Sequence, residues 1–235
     1  MQGRNLALYA AAAVLPGLCL WAAAAVVPVR SQHLPETVYK SVIAIEQAPW
    51  KWSEAKKGSL KGSVSFTGRL SAQPVVLYLQ RDDAEGTFDP PAALNVSQKG
   101  ARFNPSFALL VRGQKVVFDN DEDDEISHNV YFLGASEVDL GMFDRGNSRE
   151  HTMSDAGEVS VHCSIHKLMD ARFFVAPSPA CTTLGAEDTS FALSNLPAGR
   201  YKLKSWQKQK RFKDIELAVE VVADKETSVT VEMAR

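Results

Sequence analysis

Beyond about residue 58 no apolar stripe at helical spacing appears. Short stretches of period two follow one another instead, broken by Gly, Pro, Asn and Asp. Val64 and Phe66 alternate with Ser63, Ser65 and Thr67, and an apolar run at 75–79 is bounded by Pro74 and a charged turn. Further strands are predicted at 107–111, 115–118, 128–133, 148–153, 158–162, 171–175, 191–193, 201–205, 215–222 and 228–232. Alternate side chains of a strand point to opposite faces, so each stretch buries one row of residues. Short strands at this density, separated by turn residues, imply an all-β chain built from β-sandwiches. The 235 residues, with 45% hydrophobic and 23% charged positions, allow one or two such domains and exclude a disordered chain. A net charge of −2 gives no global attraction for nucleic acid, so any binding function rests on a local site.

The N-terminus reads differently. Residues 6–29 carry no charge and lie between Arg4 and Arg30, with small residues Ala22 to Ala25 near the end. Segment 1–30 is therefore a signal peptide, with cleavage after Ala25 suiting the small-residue rule, or an uncleaved membrane anchor. As a helix the apolar run reaches about 36 Å, enough to cross a hydrocarbon core of about 30 Å. Either way the remainder is expected in a bacterial periplasm, soluble or attached to the inner membrane through an N-terminal apolar helix. Cys19 lies within this run and Leu18 before it is too large for a lipid-attachment site. Residues 31–57 read as a linker.

The chemistry concentrates in Cys163-Ser164-Ile165-His166-Lys167-Leu168-Met169, with His128 far upstream. Two imidazoles and a thiolate in a trigonal plane, with a weak axial thioether, make the ligand set of a blue-copper electron-transfer centre. A soft, deprotonated sulfur serves both Cu2+ and Cu+. Val159, Val161 and Cys163 alternate with Glu158, Ser160 and His162, so a strand ending there turns Cys163 inward and His162 toward water. A tight turn brings back His166 and Met169, and a neighbouring strand starting at His128 supplies the fourth ligand. Zinc competes on Cys and His, but a thioether is a poor zinc ligand. A Cys–His nucleophile would need an orienting third group and an oxyanion site, which the neighbouring sequence lacks. A Cys163–Cys181 disulfide would consume the thiolate.

These residues resemble the cupredoxins. The resemblance rests on His128-Asn129-Val130-Tyr131-Phe132, on Gly157 through Cys163, and on the Cys-x-x-His-x-x-Met loop, whose short His-to-Met gap is similar to amicyanins and the methylamine-utilisation type of plastocyanin-like proteins. Phe103-x-Pro105, Val111-x-x-Gly113-x-x-Val116-x-Phe118-x-Asn120, Asp139-Leu140-Gly141-x-Phe143 and Gly146-x-Ser148 extend it over roughly 95–176. It implies a Greek-key β-sandwich, copper ligands His128, Cys163, His166 and Met169, an Asn129 that ties the ligand loop to its neighbour, and a small hydroxyl residue, Ser164, after the cysteine. Ile126-Ser127 and Lys167 stand where many relatives have proline. Ile165, Leu168 and Phe143 are the expected docking surface for redox partners.

Two charged stretches flank this motif. Six of the seven residues Asp119 to Glu125 are acidic, without the Gly and Glu that a calcium loop requires. They read as a solvated loop, or as a docking patch for a cationic partner. Arg200 to Lys213 holds seven basic residues that read as the wet face of a strand.

Phe191-x-Leu193-x-x-Leu196-Pro197-x-Gly199-x-Tyr201-x-Leu203 resembles a carboxypeptidase-regulatory-like, transthyretin-type module, and residues 58–80 resemble its opening strands. The expected organisation is therefore a copper domain at 87–176 inserted into a second small sandwich formed by 58–86 and 177–235; two domains in series are the alternative. The expected function is single-electron carriage by a non-enzymatic copper protein (Cu2+/Cu+) between a donor and an acceptor such as a cytochrome or a periplasmic dehydrogenase, with no nucleic-acid partner. Copper storage or delivery, and a non-redox structural adaptor using the transthyretin-type module, are the alternatives.

Overall fold

The alternating segments pair into four sheets. The computed structural model describes residues 51–68, 74–81, 86–185 and 187–235, which fall within one unit, Glu46–Arg235. The proposed leader, the N-terminal helix and most of the linker lie outside the described residues. Among the described residues no helix is long and apolar enough to cross a membrane.

One group of strands comes from the two ends of the described chain: β1 (Lys57–Phe66), β2 (Val75–Arg81), β12 (Cys181–Leu184), β13 (Ser190–Pro197), β14 (Gly199–Gln207), β15 (Glu216–Val221) and β16 (Glu226–Met233). They form sheets of order β13-β1-β16 and β12-β2-β14-β15. Strand β1 runs parallel to β16, with Val64 opposite Val231, and antiparallel to β13. Leu60, Leu77, Leu79, Leu196, Tyr201 and Leu203 fill the core of these sheets. The buried Tyr201 hydroxyl donates to the Pro197 carbonyl at 2.6 Å, so burial leaves no unmet donor.

The intervening strands pair among themselves: β3 (Leu94–Gln98), β4 (Phe103–Asn104), β5 (Phe107–Val111), β6 (Lys115–Asn120), β7 (His128–Gly134), β8 (Val138–Phe143), β9 (Ser148–Thr152), β10 (Gly157–His162) and β11 (Asp170–Ala176). Their sheets have the orders β5-β11-β10-β7-β8 and β4-β3-β6-β9. Val130, Phe132, Val159, Val161 and Phe173 from the first sheet meet Val96, Val116 and Phe118 from the second. A third cluster joins the two groups. Trp206 of β14 stacks on Phe174 of β11 at 5.0 Å, and its Nε1 donates to Glu158 Oε2 at 3.1 Å.

Four strands escape the sequence pattern. In β3 the fully buried Gln98 is polar, which masks the alternation; β4 has two residues; β12 buries only Leu184; and in β8 Gly141, at a φ of +75°, interrupts the phase. The register that matters for the site is that of β7 on β10, where His162 faces Tyr131 and Val159 faces Gly134. Gly134 has a φ of +108°, and a Cβ there would overlap the Glu158 carbonyl oxygen, so glycine permits the close passage of the two strands.

Candidate metal centre

Cys163 continues the inward row of Val159 and Val161 one residue beyond β10, and is buried in the core between the sheets. The chain then reverses. The Met169 N–H donates to the His166 carbonyl at 2.9 Å and the Cys163 N–H to the Met169 carbonyl at 3.2 Å, which closes the loop at the mouth of the β10–β11 hairpin. His128 opens β7, and the antiparallel register brings it to the same end of the sheet.

The three side chains converge. His128 Nδ1 lies 3.1 Å from His166 Nδ1, and Cys163 Sγ lies 3.6 Å from the same nitrogen. The ligand atoms of His128, Cys163 and His166 all fall within 4.8 Å of one another, the one such His/Cys/Asp/Glu cluster among the described residues. His128 is fully buried, Cys163 nearly so, and His166 half-buried. Metal bonds of about 2.0–2.3 Å to N and S fit donor atoms at such separations. Met169 is buried in the same core cluster as Cys163.

The expected tie between loop and neighbour is present as a contact. Asn129 Oδ1 accepts from the Ser164 backbone N–H at 3.1 Å, and Asn129 Nδ2 donates to Asp139 Oδ1 at 2.6 Å. That oxygen also accepts from the Gly141 N–H at 2.8 Å. Asp139 thereby orients the Asn129 amide, a role the sequence motif around it did not disclose. Around the loop, Ile165 is 47% and Leu168 93% exposed, whereas Phe143 is 3% exposed and cannot form part of a docking surface. The reason is strand phase: Phe143 faces inward opposite His128, and its outward neighbour Met142 is 56% exposed in its place.

Sequence reading also missed Glu122, which sits in the acidic run but is buried. Its Oε1 lies 2.9 Å from His128 Nε2 and accepts the Ala101 N–H at 3.0 Å; its Oε2 accepts the Gly100 N–H at 2.9 Å. A carboxylate only accepts, so Nε2 carries a hydrogen and the ring is turned with Nδ1 toward the cluster. Burial disfavours ionisation of Glu122, but the Ala101 and Gly100 amides and the His128 ring outweigh it and hold the carboxyl down at about 2. A carboxyl depressed on folding stabilises the fold above its unfolded value and loses that contribution as pH falls toward 2. Metal-free protein should therefore lose about 2 kcal/mol more than its Glu122→Gln variant between pH 6 and pH 3 in urea titrations. Equal losses would show that the carboxyl is not held ionised.

The remaining cysteine and histidines among the described residues lie outside this cluster. Cys163 and Cys181 are both free. Cys181 packs at the junction between the sandwiches, where burial pushes its thiol up to about 11. His162 is half-buried and stacks on Tyr131 at 5.3 Å. His151 meets Ser136 Oγ at 3.1 Å. His33 lies outside the described residues.

No family profile matches the sequence, and no curated protein does. Solved structures similar to part of the chain include a purple cupredoxin from Nitrosopumilus maritimus, at 17% identity and a TM-score of 0.32, covering 35% of this chain and 99% of that one. A reduced amicyanin mutant aligns at 21% identity and a TM-score of 0.31, over 42% of this chain and 98% of its own. A copper-containing nitrite reductase from Thermus scotoductus aligns at 20% identity and a TM-score of 0.33, over 48% of this chain and 28% of that one.

Proposed function

We propose that residues 87–176 form a cupredoxin-type copper module that carries single electrons between protein partners, with 58–86 and 177–235 as a transthyretin-type module beside it. The observation that supports this most is the convergence of one buried sulfur and two imidazole Nδ1 atoms within 4.8 Å, on strand ends and one closed loop. The donors fit copper: a soft thiolate and two imidazoles would hold it, and the thioether of Met169, buried in the same core cluster, is a further soft donor of the same loop. Bound there, copper supplies one-electron chemistry between Cu2+ and Cu+.

The chain's own residues do the rest. His128 and Cys163 are held from the sheet, the Asn129–Ser164 bond pins the loop, and His166 is the least buried of the three. Ile165, Leu168 and Met142 supply exposed apolar contacts for a partner and exclude water when one docks. In this reading the leader directs the protein to the periplasm, free or held at the inner membrane, and the partners are a cytochrome or a dehydrogenase of that compartment. One equivalent of Cu2+ added to the purified protein should produce an intense thiolate-to-copper charge-transfer band in the visible, bleached by reductant and restored by oxidant. A colourless oxidised complex would refute the assignment.

A further inference from the structure

We propose that Glu122 is a positioning residue for this centre: its buried carboxylate fixes the His128 ring with Nδ1 toward the ligand cluster and lowers the reduction potential of copper held there. The inference rests on the copper reading above and deepens it.

Glu122 stands apart from the rest of its run. Asp121, Asp123, Asp124 and Glu125 are exposed, and Asp123 and Glu125 meet Lys99 at 2.7 Å and Arg145 at 2.9 Å. Glu122 turns inward, where the Gly100–Ala101 turn and His128 share its two oxygens. Its own main chain is also fixed, because Arg145 Nε donates to the Glu122 carbonyl at 2.9 Å. A carboxylate held by three donors, on a main chain held by a fourth, cannot swing away, so the ring it faces is fixed with it.

Charge then sets the direction of the effect. The Cys163 thiolate and the Glu122 carboxylate bring two negative charges to a site shielded from water. They balance Cu2+ but leave one excess negative charge with Cu+. In a buried environment of low dielectric that excess is poorly screened, and the oxidised state is favoured. The same carboxylate makes His128 a more basic ligand through its hydrogen bond, which acts in the same direction. A backbone carbonyl in this place would orient the ring without supplying the full charge.

The test compares the copper-loaded full chain with its Glu122→Gln and Asp124→Asn variants by redox titration, and reads the His128 ring nitrogens of the metal-free wild type by 15N NMR. Glu122→Gln should keep the visible band while shifting the one-electron equilibrium toward Cu+ by about tenfold or more, which is 59 mV or more. The exposed Asp124→Asn control should shift it less than threefold. A Glu122→Gln potential no different from the control overturns the proposal. The NMR measurement needs no copper, so it separates this inference from the copper reading. A protonated Nε2 with bare Nδ1 supports the positioning role even in a chain that fails to form the coloured site, and the opposite tautomer overturns it even if the colour appears or the variant does not fold.

Discussion

Cys163→Ser is expected to abolish the visible band entirely and to weaken Cu2+ binding by more than about 100-fold, beyond the usual cost of losing an outer partner of a metal ligand. Serine is nearly the same size as cysteine, so the pocket between the sheets keeps its shape, and the hydroxyl can still meet His166 Nδ1, which lies 3.6 Å from the sulfur. What disappears is the soft, readily ionised donor. A serine hydroxyl stays protonated at neutral pH and is a hard ligand, so it supplies neither the charge nor the covalency of the thiolate. The metal-free variant should unfold within about 1 kcal/mol of the wild type, because a small, mostly apolar group is exchanged for a hydroxyl of nearly the same size with a polar ring nitrogen nearby. Visible absorption at one equivalent of copper and a competition titration check both parts. A retained band would mean that the sulfur is not a ligand and that the converging imidazoles serve another purpose.

The success and failure of sequence reading here have a common physical origin. Alternation reports burial of one face, so β10, with Val159 and Val161 inward, and β6, β7 and β14, each with an inward apolar pair (Val116 and Phe118, Val130 and Phe132, Tyr201 and Leu203), are visible from the sequence pattern alone. The same alternation placed Cys163 inward, and the short loop after it placed His166 close by. What escaped are residues whose chemistry and burial disagree. Gln98 is polar and fully buried, and hides β3; Gly141 shifts the phase of β8, and with it the sides on which Met142 and Phe143 fall. Glu122 is the sharpest case. Embedded among exposed acids it reads as solvated, because nothing local shows that the Gly100–Ala101 turn, on a different stretch of chain, will supply two backbone donors to it. The pattern Glu-x5-His in front of a strand was the available signal, since the two ends of a loop returning to one sheet come close together. It acquires meaning only once His128 is known to be a ligand candidate.

Phe118→Ala is expected to destabilise the fold by about 3–5 kcal/mol, the range for truncating a buried aromatic, and to weaken the metal centre although residue 118 is not part of it. Phe118 projects from β6 of the four-stranded sheet and is fully buried. Its ring meets Phe132 of β7 at 5.6 Å, Phe173 of β11 at 6.4 Å and Phe103 of β4 edge-on at 6.0 Å. Phe132 pairs with Val161, two residues before Cys163, and lies on the strand that begins at His128. The ring thus couples the second sheet to β7, which begins at His128, and through Phe132 to β10, which leads into Cys163. Removing it leaves a cavity against the face that fixes their spacing, in a fold whose total stability is on the order of 5–15 kcal/mol. Leu60→Ala, in the separate core around Tyr201, is the informative contrast: it should cost about 2–5 kcal/mol while acting on strands that carry none of the ligands. Urea unfolding of the copper-loaded proteins, followed by the visible band and by far-ultraviolet circular dichroism, distinguishes the two. Phe118→Ala should lower the midpoint of the band by more than Leu60→Ala does. Equal shifts would mean that the Trp206–Phe174 stack makes the two sandwiches unfold as one cooperative body, so that the ligand strands draw on both cores and not only on the ring nearest to them.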